Sequence, residues 1–203
     1  MIAAGSWHNS SKLGQPMPET PRNHSLLKII RSRRVSRYFL ENSIPMPELE
    51  AIVEAGRWSP CAGNRRLQRF VVVTEFPLIE TIRIMAPGID GYPRALIVLC
   101  IDWEMARVQG IKPTHPSVYI DTGMATENLL LAAHVLKIGA GPVTSFSKAA
   151  VQEILDLPES LSPELIVCLG YPAASTRGGK VKPPKALHWR DITYWNRFQK
   201  SNL

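Results

Sequence analysis

Two periods of hydrophobic spacing share this chain. Leu26, Leu27, Ile29 and Ile30 mark one face of a helix that begins at Ser25 and runs into an arginine-rich segment. A second helix opens at Pro47, a residue suited to a first turn, with Glu48 and Glu50 near its positive end. Leu49, Ile52 and Val53 give it a core face, and it stops before Trp58-Ser59-Pro60. A third, short helix fits Pro77 to Met85, with Leu78, Ile79, Ile82 and Met85 on one side. Ser147 is placed to cap a further helix from Lys148 to Leu155. Between these lie continuous β-branched runs that read as buried strands: Phe70–Thr74, Ala95–Ile101 and Leu165–Leu169, the second buried on both faces.

The longest pattern starts at Ser117, a capping residue after Pro116, and ends near Lys137, where a cation favours the negative end of the helix dipole. Ile120, Met124, Leu129, Leu130, Leu131, Ala132, Val135 and Leu136 cover most of its circumference, so burial under a sheet or in a subunit contact is expected. Asp121, Glu127, Asn128 and His134 interrupt it too often for a membrane span. The segment after it, Gly141-Pro142-Val143-Thr144-Ser145-Phe146, reads as a stiff turn of small residues able to lay its backbone against a flat ligand. With no internal repeat and no clear linker, the alternation of strands and helices predicts one α/β or α+β domain with helices covering a central sheet. Residues 1–24 read as a flexible arm rich in Ser, Gly, Pro and Asn, and 25–203 as the domain.

Composition narrows this picture modestly. An apolar fraction of 45% fits a globular protein. Three scattered cysteines, Cys61, Cys100 and Cys168, point to a reducing compartment, and the absence of an apolar leader makes the cytoplasm the expected location. The formal charge of +7 asks for an anionic partner: nucleic acid, anionic lipid or a phosphorylated cofactor. Dinucleotide and phosphate-loop fingerprints are missing, as is a nucleophile elbow, and the histidines show no metal-ligand spacing. His134, on an apolar helix, reads as a core histidine with its hydrogen bonds satisfied.

Three clusters carry candidate chemistry. In Arg33-Arg34-Val35-Ser36-Arg37 guanidinium groups around a turn can clamp one anion. Ser59-Pro60-Cys61-Ala62-Gly63-Asn64-Arg65 offers small residues and an amide that suit the edge of a heterocycle. Arg177-Gly178-Gly179-Lys180-Val181-Lys182 is a basic extended tail, which alone reads equally as a solvated or polyanion-binding segment. Together with Asp121-Thr122-Gly123-Met124-Ala125-Thr126-Glu127-Asn128-Leu129 and Leu169-Gly170-Tyr171-Pro172-Ala173, these stretches resemble the FMN-dependent nitroreductase family from about Leu26 to the C-terminus.

That resemblance implies an α+β fold, an α/β/α sandwich with a mixed sheet flanked by helices, in an intertwined homodimer with exchanged C-terminal tails. It implies bound FMN, with NADH or NADPH as electron donor and a small-molecule acceptor such as a nitroaromatic or quinone, and neither nucleic acid nor membrane as partner. Carried over by position, Arg33, Arg34, Val35 and Arg37 hold the ribityl phosphate and flavin edge, and Lys180 and Lys182 complete the phosphate grip. Pro60, Cys61, Ala62 and Asn64 reach the flavin from the other subunit, while Pro142, Val143, Thr144 and Ser145 face flavin N5 and the pyrimidine edge. No catalytic side chain and no metal are implied, because the flavin carries the chemistry. The chain departs from the family at Val35, where serine is usual, and at Asn64-Arg65-Arg66-Leu67-Gln68, where Asn-x-Gln-Pro-Trp is common. Relatives of the same fold that act as oxidases, dehalogenases or flavin-consuming enzymes, and a basic polyanion-binding protein, are the competing readings.

Overall fold

The computed structural model describes residues 24–113, 115–173 and 191–198. Its helices are α1 (Ser25–Ser32), α2 (Met46–Arg57), α3 (Phe76–Ile84), α4 (Trp103–Val108), α5 (Ser117–Val135) and α6 (Lys148–Ile154). Its strands are β1 (Gln68–Val73), β2 (Ala95–Asp102), β3 (Gly139–Val143) and β4 (Leu161–Gly170). Two compact units are distinguished, residues 1–173 and 174–203, and every element named belongs to the first. In the second unit, the Tyr194 and Phe198 rings pack with centroids 4.4 Å apart.

The strands form one sheet in the order β1-β2-β4-β3, antiparallel at every described pairing. As the continuous apolar run predicts, β2 is central and buried from Ala95 to Ile101. Its alternating side chains divide the interior into two layers. Ala95, Ile97 and Leu99 pack with Leu49 and Ile52 of α2 and Leu129 of α5. Leu96, Val98 and Cys100 pack with Ile79 and Ile82 of α3 and Val151 of α6 on the opposite face. The expected α/β/α sandwich is therefore present, built on period-two alternation that a continuous apolar run conceals.

Three elements differ from the sequence expectation. Gly141–Val143, the first half of the segment read as a turn, belongs to the edge strand β3, which pairs with Ile166–Gly170. Pro142 is tolerated there because an edge strand needs no donor on its outer side. Helix α4 is too short to show a period, yet Asp102 caps it by accepting from Met105 N–H at 2.8 Å. Ser117 does not cap α5: Pro116 holds that position, and the Ser117 hydroxyl is paired with His115 Nδ1 at 2.7 Å. Ser147 does cap α6, its hydroxyl accepting from Ala150 N–H at 3.3 Å.

α5 is buried along one side by Val118, Asp121, Thr122, Ala125, Thr126, Leu129, Leu130 and Ala133. Its other side shows Tyr119, Ile120, Met124 and Val135 exposed, with open space beside Gly123. The apolar circumference is thus half used within one chain.

Candidate functional site

After α1 the chain leaves the helix at Arg33 and lies extended against the β3–β4 edge. Ser36 N–H donates to Ala140 O at 2.9 Å, Leu40 N–H to Tyr171 O at 2.8 Å, and Ala173 N–H to Tyr38 O at 3.0 Å. Phe39 forms an antiparallel bridge with Pro172. This close approach explains the small residues of β3. A Cβ on Gly141 would sit 2.5 Å from Ser36 O, and one on Gly139 would sit 2.7 Å from Ser36 Cβ. These two glycines accommodate the protein's own arginine strip. Gly91 serves the strip from the other side: its φ of +70° is a left-handed conformation, and a Cβ there would lie 2.5 Å from Arg37 O.

The three arginines of the strip are in different states. Arg33 Nε approaches Glu127 Oε1 of α5 at 3.4 Å, yet Nε and Nη1 are buried with no hydrogen-bond partner. Unsatisfied buried donors are costly and mark places where a ligand or ion completes the structure. Arg34 is committed locally, Nη1 donating to Arg31 O at 2.6 Å and Arg33 O at 2.8 Å, which closes the end of α1. Arg37 reaches Gly88 O at 3.5 Å, the limit of a hydrogen bond, and Gly88 N–H in turn donates to Ser145 O at 3.1 Å.

The strip therefore brings Arg33, Arg34, Val35 and Arg37 along one side of β3 and sets Arg37 beside the Thr144–Ser145 turn. Val35 is exposed, as are Thr144 and Ser145, whereas Val143 is buried in the core and Pro142 half-buried. The thiol of Cys168, on β4 beneath, is pushed up to about 12 by burial, with the Arg37 guanidinium acting in the opposite direction. Burial likewise pushes the Cys100 thiol up to about 12, with Glu164 adding to the rise. Both thiols are inert core residues.

A cavity of about 280 Å³ opens beside the strip, lined by Ser32, Arg33, Arg34 and Ser36 on one side and by Leu130, His134, Lys137, Ile138, Gly139, Ala140 and Pro172 on the other. His134 is half-buried, its Nε2 paired with the Ser32 hydroxyl at 2.8 Å. It is satisfied, as expected, but on a cavity wall and not in the core.

The second candidate group is elsewhere. Pro60–Asn64 lies at the opposite end of α5, where the buried Asp121 carboxylate accepts from Ala62 N–H at 3.0 and 3.1 Å. Left-handed conformations at Gly63 and Asn64 shape this loop, and Arg66 secures it by donating to Asn64 Oδ1 at 3.1 Å and Arg57 O at 3.0 Å. Arg33 meets α5 at Glu127, about 9 Å of helix from Asp121 at 1.5 Å per residue, and the cavity residue His134 lies about 20 Å from it. Among the described residues no hydrogen bond or ion pair joins Pro60, Cys61, Ala62 or Asn64 to the arginine strip. Lys180 and Lys182 lie outside the described residues.

Asp121 and Lys137 are positions that residue-type reasoning did not single out as site residues. The signal for the first was a charge on the buried side of an apolar helix; for the second, a lysine where a glycine usually ends a helix. No helix among the described residues is long and apolar enough to cross a membrane, and no metal-holding cluster of His, Cys, Asp and Glu occurs among them.

The profile of the Nitroreductase family matches residues 30–82 and 92–171, leaving out the Pro87–Gly91 loop. A protein of Archaeoglobus fulgidus, provisionally named NADH dehydrogenase/NAD(P)H nitroreductase, is 31% identical over 156 residues, covering 72% of this chain and 84% of that one. The NADPH-flavin oxidoreductase of Vibrio harveyi is 25% identical over 193 residues, covering 89% and 77%. Among solved structures, nitroreductase A from Vibrio parahaemolyticus superposes with a TM-score of 0.72 at 24% identity, over 88% of this chain and 79% of that one, which speaks for the fold alone. The arginine strip on β3, the Asp121-anchored loop and the antiparallel sandwich between them are the framework on which that profile is met, and the chain belongs to the Nitroreductase family.

Proposed function

We propose that this protein is an FMN-dependent NAD(P)H oxidoreductase that works as a homodimer, each flavin lying between the arginine strip of one subunit and the Pro60–Asn64 loop of the other. One observation carries this reading. Two groups of candidate cofactor-binding residues meet different stretches of α5, the loop at Asp121 and the strip at Glu127 and the His134 cavity, with no hydrogen bond or ion pair between them, and the helix leaves Ile120, Met124 and Val135 exposed. A symmetric pairing through that face buries apolar surface and places strip against loop. The residues fit the cofactor as well: the orphaned donors of Arg33 need an acceptor, and a phosphate of nearly two negative charges supplies several. Exchange of the C-terminal tails would add Lys180 and Lys182 to that grip and cover Trp195 and Phe198.

When bound, FMN supplies hydride transfer between a reduced nicotinamide and an organic acceptor such as a nitroaromatic or quinone. The chain's own part is binding, orientation and electrostatics. Arg33, Lys180 and Lys182 neutralise the phosphate; Arg37, beside Gly88 and the Thr144–Ser145 backbone, presents cationic charge to the ring edge and makes the reduced form easier to reach. Cys61 and Ala62, held by Asp121, form the far wall of the slot. Donor and acceptor use that slot in turn, so kinetics are ping-pong. The cytoplasm, with its reduced nicotinamide pool and free thiols, is the proposed setting.

The test is spectroscopic and kinetic together. Purified protein should be yellow and oxidise NADH or NADPH only with an acceptor present, giving parallel double-reciprocal lines. Colourless protein would refute the cofactor, turnover on oxygen without a nicotinamide would reassign the enzyme as an oxidase, and intersecting lines would require separate donor and acceptor sites.

A further inference from the structure

We infer that Lys137, at the C-terminal end of α5, is a ligand for a phosphate monoester in the cavity beside the strip, and that this monoester is the 5′-phosphate of bound flavin. The inference rests on the proposed flavin role and adds a residue that neither the strip nor the tail supplies.

The backbone around Lys137 is a complete helix-ending motif. Ile138 N–H donates to Ala133 O at 2.8 Å and Lys137 N–H to His134 O at 3.1 Å, which is the paired bonding of a Schellman turn. Such a turn needs one residue in the left-handed conformation, and Lys137 takes it with a φ of +60°. Glycine adopts that conformation without steric cost and is the usual occupant; a lysine there is strained. The turn accounts for the left-handed backbone, as it does for Asp156 (φ +48°) in the same position after α6, but not for the choice of a lysine there.

The cavity supplies the explanation. Lys137, itself exposed, lines it together with Arg33, whose Nε lies 3.4 Å from Glu127 Oε1 and whose Nε and Nη1 are buried without a hydrogen-bond partner. Capping of helix ends accounts for Arg34, which spends Nη1 on the last carbonyls of α1, but for neither of the other two cations. Ser32 also donates to Ile29 O at 3.1 Å, so the His134 ring faces it with an Nε2–H and is fixed as the wall next to Lys137. Two cations beside a cavity of about 280 Å³ suit a compact dianion.

The test measures FMN and riboflavin affinities by flavin fluorescence, NADPH and NADH affinities by titration, and thermal midpoints with and without flavin. The variants are Lys137→Gly, Lys137→Met and Arg33→Ala in the full chain. Both Lys137 variants should bind FMN about tenfold more weakly, the effect of one lost charge-assisted bond, and riboflavin unchanged. Lys137→Gly should also raise the flavin-free midpoint, since glycine relieves the left-handed strain, so stability and affinity move in opposite directions. An unchanged FMN-to-riboflavin ratio in both Lys137 variants, with a collapsed ratio in Arg33→Ala, would overturn the role of Lys137 while leaving the flavin site standing. A loss confined to NADPH would assign the cavity to the nicotinamide phosphate and overturn the inference equally. Wild-type protein that binds neither flavin, or both alike, would instead overturn the flavin reading itself.

Discussion

At its N-terminal end α5 presents a buried carboxylate, Asp121, whose two oxygens accept one N–H from Ala62. Farther along, at Glu127, the same helix lies against Arg33, two of whose buried donors have no hydrogen-bond partner. The first region is closed but for one donor: Ala62 N–H and the Asp121 carboxylate satisfy each other and the Asn128 amide donates to Ala55 O at 3.0 Å, while Gln68 Nε2, in the pocket it lines with Cys61 and Arg66, is buried without a hydrogen-bond partner. The second is open, and its cations exceed what the surrounding protein can use. Burying polar groups is tolerated where they are paired, so the contrast lies in what is left over: one amide donor beside the loop, guanidinium donors in the strip. Along α5 the loop is held at Asp121 and the strip at Glu127 and beyond, a separation that the proposed two-subunit site would bridge.

The largest expected effect comes from removing what lies beyond the open end. Truncation after Tyr171 should give insoluble or flavin-free protein, because the basic tail and its aromatics would be lost together; a soluble, yellow, monomeric truncation would break the comparison outright. Next in size are the strip arginines. Arg37→Ala and Arg33→Ala should each weaken FMN binding by one to two orders of magnitude, from about 1.5–3 kcal/mol per charge-assisted bond. Lys182→Ala should cost less, since a flexible ammonium loses more entropy on binding. Arg31→Ala, on the same helix but outside the strip, should change little, and equal small losses in all of these variants would indicate a generic basic surface. Flavin fluorescence titration at one salt concentration reads all four.

At the closed end the effect should fall on stability first. Asp121→Ala strips the Ala62 N–H of its acceptor, and denaturant unfolding should register a loss of about 1–3 kcal/mol. Gly141→Ala tests the seam between the regions: its Cβ would meet Ser36 O at 2.5 Å, and displacing the strip should cost about 1–3 kcal/mol and weaken flavin binding with it. An unperturbed variant would mean the strip is not held where β3 places it. The smallest effect concerns Arg66. Charge added to the loop by Arg65 and Arg66 would favour NADPH or anionic acceptors, but the structure ties the Arg66 guanidinium to Asn64 and Arg57. Arg66→Gln should therefore leave the NADPH/NADH ratio nearly unchanged while loosening the loop, measurable as faster alkylation of Cys61.

What was legible in the sequence follows from which forces act locally. The β2 run, the core stripe of α2 and the Ser147 cap each declare themselves within a few residues, and all three are present. β3 was hidden because its reason for being Gly-Ala-Gly-Pro lies about a hundred residues earlier, in the Ser36 backbone that packs on it. The strip was found as chemistry but not as geometry: nothing in Arg33-Arg34-Val35-Ser36-Arg37 reveals that Arg34 closes its own helix while Arg33 is left without partners. Nor does local sequence show that one side of α5 is filled within the chain and the other is not.

The central claim is that each flavin site takes its strip from one subunit and its loop from the other. Co-expression of two differently tagged chains tests it, one carrying Arg33→Ala and the other Ala62→Trp to block the loop wall, with the mixed dimer isolated through both tags. Each variant alone should be flavin-poor. In a shared arrangement the mixed dimer combines one intact strip with one intact loop, so it should hold about one flavin per two chains by symmetry and recover activity in proportion. A mixed dimer as empty as its parents would place strip and loop in the same subunit's site and contradict the account.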